Sequence, residues 1–242
     1  MSFSLPEGAG PLRRERLRTA RLYFVCDARP PGDLERLLRA ALSGGVDIVQ
    51  LREKELDRGE IQRAAATFRR VADTYSAPFI LNDDPELARS CNADGVHVGN
   101  HGEVEVAREL LGPDAIVGLS THSEQEIADA AELPVDYIAV GPIWETPTKP
   151  GRPGVGLELI SHAAEHATHP FFAIGGISPA NAEGVVRAGG RRLCVVRAIR
   201  ESAQPTVAAE ALRRAFRAAE ERTKQDDLLD QPASWRGVAP GG

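Results

Sequence analysis

The sequence has few of the features that mark a secreted, membrane-spanning or nucleic-acid-binding protein. Only three cysteines occur, none in a CxxC pair, and each lies in or beside an apolar stretch, which favours reduced structural thiols over disulfides. No apolar run reaches the length of a membrane span, and the first residues lack the apolar core of a signal peptide. The formal net charge of -6 argues against a general nucleic-acid binder, although it leaves room for a local phosphate pocket. We therefore expect a cytoplasmic protein without a nucleic-acid or membrane partner; a homo-oligomer is compatible with the sequence.

The sequence also lacks several motifs that mark particular kinds of active site. The six histidines show no metal-ligand spacing, and the candidate residues form no nucleophile–histidine–aspartate triad. No GxGxxG, GxxxxGKS or GxxxxGKT loop follows a strand-like run, so nothing supports a nucleotide-binding open sheet. His97 and His122 are interpreted as orienting or structural residues, with substrate contact as the alternative.

The two ends of the chain differ in composition from the middle. Residues 11–21 carry five arginines, which suits either a short helix packed under the main body or a solvated basic arm. After Ala218 the sequence becomes charged and ends in glycine and proline, with too little periodic apolar surface to fold alone. We predict an N-terminal arm at 1–20, a folded body at 21–218 and a flexible tail at 219–242.

Short apolar runs alternate with segments of helical periodicity through the middle of the chain. Asp33 and Ser123 are predicted helix N-caps, and Ser178-Pro179 resembles an N-cap followed by proline. A weak repeat falls on the second, fourth, sixth and eighth runs: Gly45-Val-Asp-Ile-Val-Gln50, Ala93-Asp-Gly-Val-His-Val98 and Pro134-Val-Asp-Tyr-Ile-Ala-Val140 look alike, and Gly189–Val196 is a looser echo. The predicted strands are Leu22–Cys26, Asp47–Leu51, Pro78–Leu81, Gly95–Val98, Ala115–Leu119, Val135–Val140, Phe171–Ile174 and Arg192–Val196.

This alternation predicts the α/β class and a single closed (β/α)8 TIM barrel. Right-handed crossovers between parallel strands also allow an open sheet, but eight uninterrupted units and the missing nucleotide loops favour the barrel. In such barrels the active site lies at the carboxyl ends of the strands. Residues that directly follow each apolar run are therefore the candidates for function.

Residues 141–150 form a proline-stiffened loop after the sixth run. Prolines on both sides restrict the backbone of Thr148 and Lys149, so less freedom is lost when a ligand binds. Thr146 and Thr148 offer hydroxyl groups, and Lys149 supplies a compact positive charge. The loop suits an anionic ligand such as phosphate; an ordinary surface turn is the alternative.

Other strand ends carry complementary groups. Arg52 and Lys54 suit a multiply charged anion, and Asp83 suits a hard cation such as Mg²⁺ bridged to that anion. Gly175-Gly176, just before a predicted helix, lets backbone N–H groups approach a phosphate. Each feature also has a plainer explanation, namely a solvated charged face, a helix cap and a tight turn.

The chain from about residue 21 to 200 resembles the thiamine phosphate synthase family. The resemblance rests on ordered motifs: Gln50-Leu-Arg-Glu-Lys54, Asn82-Asp83, Gly95-Val-His-Val-Gly99, Gly118-Leu-Ser-Thr-His122, Gly141-Pro with Thr146-Pro-Thr-Lys149, and Ala173-Ile-Gly-Gly-Ile177. It implies a Mg²⁺-assisted, dissociative transfer that joins a hydroxymethylpyrimidine diphosphate to a thiazole phosphate and releases diphosphate. Those two small molecules are the implied substrates.

The resemblance also implies roles for individual residues. Arg52, Lys54 and Lys149 are the implied catalytic residues, and Asp83 the implied Mg²⁺ ligand. The implied substrate-binding residues are Gln50, Leu51, Arg52, Glu53, Lys54, Asn82, Ser120, Thr146, Pro147, Thr148, Lys149, Gly176, Val196 and Arg197.

Two departures from the family pattern matter. The family usually has a second metal-ligating aspartate where this chain has Gly102, and the adjacent Glu103 is the substitute to be considered. Arg197 replaces a serine that is common at its position. Two alternatives therefore stand beside the synthase: a thiazole tautomerase, which lacks the Asn-Asp and Thr-Pro-Thr-Lys combination found here, and a non-catalytic phosphometabolite sensor, which Gly102 favours.

Overall fold

Eight parallel strands close into a barrel in the computed structural model, which describes residues 8–146, 151 and 153–229, without the side chains of 219–229. Each strand pairs with the next along the chain, and β8 returns to β1 with Leu193 opposite Leu22. The predicted (β/α)8 barrel is confirmed. The strands are β1 Leu22–Cys26, β2 Ile48–Leu51, β3 Phe79–Asn82, β4 Gly95–Val98, β5 Ile116–Thr121, β6 Tyr137–Val140, β7 Phe171–Ile174 and β8 Leu193–Val195.

Helices connect the strands and surround the barrel. They are α1 Gly10–Thr19, α2 Leu34–Ser43, α3 Arg58–Tyr75, α4 Pro85–Ser90, α5 Gly102–Leu111, α6 Glu124–Asp129, α7 Glu158–His166, α8 Ala182–Arg187, α9 Arg197–Arg200 and α10 Pro205–Leu229. The boundary predicted at residue 218 falls inside α10, which packs on α2 and α8. Among the helices described, none is long and apolar enough to cross a membrane.

Two of the three predicted N-caps are confirmed. The Asp33 carboxylate accepts the N–H of Arg36 at 2.7 Å, and the Ser123 hydroxyl accepts the N–H of Glu126 at 3.2 Å. The prediction for Ser178 is wrong, because α8 begins at Ala182. The Asn181 side chain instead accepts the Ser178 N–H at 2.8 Å, so these residues hold a turn before the helix.

Apolar side chains fill both faces of the sheet. One cluster lies between the strands and helices, and a second, which includes Tyr23, Tyr137 and Phe172, fills the barrel interior. Burial on both faces explains why the strands read as continuous apolar runs rather than alternating ones. The Tyr137 ring fits only beside a glycine, since a Cβ on Gly118 would lie 2.1 Å from its Cζ.

Helix α1 closes the amino-terminal end of the barrel. Leu17 and the following Ala20 belong to the interior cluster, and Arg13 forms a 2.9 Å ion pair with Asp94. The arginine-rich segment is therefore a packed helix rather than a solvated arm. The three cysteines, all among the described residues, form no disulfide, and Cys26 and Cys194 are buried.

Three copies of the weak sequence repeat form the same hydrogen-bond pattern between neighbouring strands. An aspartate just before β2, β4 or β6 donates its N–H to a carbonyl at the start of the preceding strand and accepts an N–H from the same residue. The backbone pairs are Asp47 with Leu22, Asp94 with Phe79 and Asp136 with Val117, with N···O distances of 2.7 to 2.9 Å. Arginine completes each pattern through Arg213 on Asp47, Arg13 and Arg69 on Asp94, and Arg108 on Asp136.

Candidate active site

A cavity of about 630 Å³ opens at the carboxyl ends of the strands, and every strand contributes to its wall. Parallel strands in a closed barrel all end at the same rim, so the loops that follow them converge there. Most of the predicted site residues line this one cavity. They are Gln50, Arg52, Lys54, Asn82, Asp83, Ser120, Thr146, Gly176, Val196 and Arg197.

The remaining predicted residues lie elsewhere or outside the described part of the chain. The Leu51 side chain is buried in the outer apolar cluster, so it supports the strand rather than lining the cavity. Pro147, Thr148 and Lys149 lie outside the described residues. The Glu53 carboxylate is bound by backbone N–H groups of its own loop and of Ala28.

Glu53 organises the loop between β2 and α3. Its carboxylate accepts the N–H groups of Ala28, Lys54 and Glu55 at 3.3, 2.8 and 2.9 Å. Burial opposes ionisation, but these backbone N–H groups outweigh it and lower the pKa of Glu53. Glu53 thus holds the backbone that presents Arg52 and Lys54 to the cavity.

Charged groups meet on one side of the mouth, where β2 and β3 end. The Lys54 ammonium forms an ion pair with the Asp83 carboxylate, and both side chains remain partly exposed. Asp83 has a φ of 66°, in the left-handed region, and its N–H donates to the His97 carbonyl at 2.8 Å. This backbone bond keeps Asp83 at the strand tip despite a conformation that most residues avoid.

The described lining contains more cations than carboxylates. Arg52, Lys54 and Arg197 carry positive charge, while Asp83 and Glu201 carry negative charge. Glu201 was not among the predicted site residues, because it follows the short helix α9 rather than a strand. The excess of positive charge suits an anionic ligand, although the chain as a whole is acidic.

Asp83 suits a magnesium site in which the protein provides few ligands. No cluster of three histidine, cysteine or carboxylate side chains with metal-binding geometry occurs among the residues described. The Glu103 carboxylate accepts the N–H groups of Gly99 and Asn100 at 3.0 and 3.3 Å, so it is occupied by its own loop. Mg²⁺ commonly uses one or two carboxylates together with substrate phosphates and water, and a single Asp83 is compatible with that pattern.

The opposite side of the mouth has a glycine turn. Gly175 and Gly176 have φ values of 106° and 69°. A Cβ on Gly175 would lie 2.4 Å from the Pro142 Cα, and one on Gly176 would lie 2.9 Å from the Trp144 Cβ. The glycines therefore also let the loop after β6 pack directly on the loop after β7, which the sequence alone did not reveal.

The cavity floor is a mixture of apolar and buried polar groups. Tyr23, Val25, Ala139, Ile174 and Cys194 line it but were not predicted as site residues. They lie inside the strands rather than after them, and alternation along each strand is the signal that would have found them.

Comparisons with known proteins agree with the geometry. A family model described as thiamine monophosphate synthase matches residues 22–199. The chain belongs to the thiamine monophosphate synthase family. Thiamine-phosphate synthase of Thermobifida fusca (strain YX) is 46% identical over 210 residues, covering 85% of this chain and 96% of that protein. Thiamine-phosphate synthase of Mycobacterium tuberculosis (strain ATCC 25177 / H37Ra) is 45% identical over 221 residues, covering 86% of this chain and 100% of that protein.

A solved structure of a related protein has the same fold as this chain. Thiamine phosphate pyrophosphorylase from Pyrococcus furiosus matches with a TM-score of 0.75 and 30% identity, covering 85% of this chain and 98% of that chain. The chain is thus an enzyme of the thiamine monophosphate synthase family, as its strand-end motifs predicted.

Proposed function

We propose that the chain condenses 4-amino-2-methyl-5-(diphosphooxymethyl)pyrimidine with a thiazole phosphate to give thiamine phosphate and diphosphate. The observation that carries the proposal is the meeting of Arg52, Lys54 and Asp83 in one cavity whose opposite side has the Gly175-Gly176 turn. Strands β3 and β7 lie on opposite sides of the closed barrel, so two anionic groups have separate places across one mouth.

The charges beside β2 and β3 suit the departure of diphosphate. Negative charge grows on the leaving group as its C–O bond breaks. Arg52 and Lys54 stabilise that charge more strongly in the transition state than in the ground state, which is the condition for acceleration. Lys149 is assigned to the same leaving group.

Asp83 would hold Mg²⁺ together with oxygens of the bound diphosphate. When bound, the ion supplies additional positive charge to the leaving group. Lys54 pairs with the Asp83 carboxylate. We infer that diphosphate binding redistributes these contacts, since its oxygens are acceptors for the Lys54 ammonium.

The apolar floor suits the pyrimidine ring. As the leaving group departs, the ring methylene becomes cation-like, and the electron-rich aminopyrimidine stabilises it. The thiazole nitrogen then forms the new C–N bond, so no protein nucleophile is required. Val25, Ala139 and Ile174 provide an apolar wall that limits capture of the cation by water.

The second substrate is assigned to the opposite rim. Its phosphate faces the backbone at Gly176 and the residues Val196 and Arg197, which follow β8. Barrels frequently bind phosphate at the loops after strands seven and eight. Thr146 is buried at the wall and provides a hydroxyl for the same substrate; Thr148 is assigned there as well.

The proposal is tested by incubating the purified chain with both substrates and Mg²⁺ and following thiamine phosphate and diphosphate. Turnover to both products supports the synthase. Isomerisation of the thiazole alone indicates the tautomerase, and binding without conversion indicates the sensor. Either of these two outcomes overturns the proposal.

Lys149→Ala tests the residue assignment. Loss of one charge-stabilising group is expected to lower kcat by roughly 100-fold or more. Arg36→Ala is the control, because Arg36 is an exposed cation on α2 that does not line the described cavity. Near-normal turnover of the Lys149 variant would refute its catalytic assignment.

A further inference from the structure

A series of hydrogen bonds crosses the barrel interior at the floor of the cavity. It begins at Gln50 Nε2, which lies 2.5 Å from the Tyr23 hydroxyl, and continues over 3.0 Å to the Tyr137 hydroxyl. The Tyr137 hydroxyl lies 3.1 Å from His97 Nδ1, and His97 Nε2 lies 3.0 Å from Ser120 Oγ. All five side chains are buried, yet they come from β2, β1, β6, β4 and β5.

The two ends of this hydrogen-bonded series, Gln50 and Ser120, are residues assigned to substrate. Between them, Tyr23 and Tyr137 have no assigned role, and His97 is interpreted from the sequence only as an orienting or structural residue, with substrate contact as the alternative. Burying polar groups in an apolar interior is unfavourable unless each is hydrogen-bonded. Phenylalanine at positions 23 and 137 would fill nearly the same volume. Packing alone therefore does not account for the two hydroxyl groups.

We assign the direction of the hydrogen bonds from the groups present, starting at Gln50. The Gln50 amide nitrogen only donates, so the Tyr23 oxygen accepts and its own hydrogen is left to donate to Tyr137. The Tyr137 hydrogen is then directed to His97 Nδ1. A neutral imidazole that accepts at Nδ1 carries its hydrogen at Nε2 and donates it to Ser120.

Both phenols keep the one hydrogen that this sequence of bonds requires. Burial, as the largest cause, raises the pKa of Tyr23 and of Tyr137 well above the usual value for tyrosine. The Ser120 oxygen, which accepts from His97, has its remaining O–H available for the cavity that it lines.

We propose that Tyr23, Tyr137 and His97 are positioning residues. Tyr23 and Tyr137 hold His97 as the Nε2–H tautomer, and His97 in turn presents the Ser120 hydroxyl as a hydrogen-bond donor to the anion in the cavity. The identity of that anion as the substrate diphosphate rests on the proposed function. The same bonds orient Gln50, since one amide hydrogen is held by Tyr23 while its carbonyl and second hydrogen remain for the ligand.

The tautomer is measured without any catalytic activity. In ¹⁵N-labelled protein, the imidazole nitrogens of His97 are assigned by their loss in His97→Gln, and their shifts and couplings report which nitrogen carries hydrogen. The expected result is a neutral Nε2–H ring in the wild type. An Nδ1–H ring would overturn the proposal even if the chain proved to be an active synthase.

The link to Ser120 is tested with a double-mutant cycle. Tyr137→Phe keeps the ring beside Gly118 and is expected to lower kcat/KM roughly tenfold, the effect of about one misdirected hydrogen bond. In the Ser120→Ala background, where the final donor is gone, it should have little further effect. Equal factors in both backgrounds would mean that Tyr137 does not act through Ser120, and would overturn the proposal.

Two further variants separate positioning from folding. Tyr23→Phe removes an earlier bond of the chain and should show the same dependence on Ser120, while Tyr75→Phe, on exposed helix surface, should leave kcat/KM unchanged. Thermal unfolding of each variant identifies any that fails to fold. The same cycle measured on the affinity for inorganic diphosphate tests the proposal even if no synthase turnover is found.

Discussion

The three aspartate–arginine pairings at the amino-terminal end of the barrel allow a graded test of how burial and the number of partners set the stability that an ion pair contributes. Asp94→Asn keeps the shape of the side chain but removes the charge that faces Arg13 and Arg69 at 2.9 and 2.7 Å. The Asp94 side chain is only 14% exposed, and Arg13 only 9%. Arg13 and Arg69 would therefore lose the carboxylate charge that they share, at a site largely shielded from water.

The expected cost follows from this burial. Removing one partner of a buried pair destabilises a protein by roughly 3–5 kcal/mol, so about 3 kcal/mol is expected for Asp94→Asn. Asp136→Asn, which is 10% exposed but has only Arg108 as an arginine partner among the described residues, should cost about 2 kcal/mol, the range of one hydrogen bond between charged groups. Asp47→Asn should cost about 1 kcal/mol. Its carboxylate and that of its partner Arg213 are 31% and 39% exposed.

The assay is the free energy of unfolding in urea, followed by circular dichroism. Glu15→Gln is the control, because its ion pair with Arg18 on α1 is exposed and should contribute less than about 0.5 kcal/mol. Equal losses for the three aspartate variants, or the largest loss for Asp47→Asn, would refute the argument that burial and the number of arginine partners together decide the ranking.

Three other predictions concern the site and its support. Gly102→Asp has room for a side chain and should lower the Mg²⁺ concentration needed for half-maximal activity; an unchanged titration would show that the position is not a lost metal ligand. Glu53→Gln should destabilise the chain at neutral pH and much less in acid. A carboxylate with a lowered pKa contributes stability that disappears as the pH falls through that pKa. Urea unfolding at several pH values measures this, with the exposed Glu55→Gln as control. Gly118→Ala would place a methyl group 2.1 Å from Tyr137 and should cost about 1–3 kcal/mol in unfolding free energy; no loss would show that the interior relaxes.

Much of the architecture could be predicted because its signals are local. The apolar runs indicated all eight strands, with bounds within a few residues of those observed. Strands that are buried on both faces are continuous apolar runs in the sequence, so each can be located without knowing which strand it pairs with. The fold then placed Arg52, Asp83 and Arg197 at one rim. Ser178 shows the limit of local signals, because Asn181 uses the same short segment to form a turn.

Local patterns do not show which side chains of a motif reach the cavity. Leu51 and Glu53 lie inside a motif whose other members reach the cavity, yet one packs outward and the other binds the backbone of its own loop. Adjacent residues on a strand face opposite sides, so a motif written as one block need not form one surface.

The sequence by itself determined the barrel, the rim at which its polar groups meet and the family to which those motifs belong, because periodicity and order along the chain are sufficient for each. Only the tertiary structure decided that Asp47, Asp94 and Asp136 fasten neighbouring strands and that Gln50, Tyr23, Tyr137, His97 and Ser120 join into one directed chain. The physical reason is closure. Strands far apart in sequence face each other only once the sheet has closed on itself, and hydrogen bonds between their side chains depend on distances that no single segment contains.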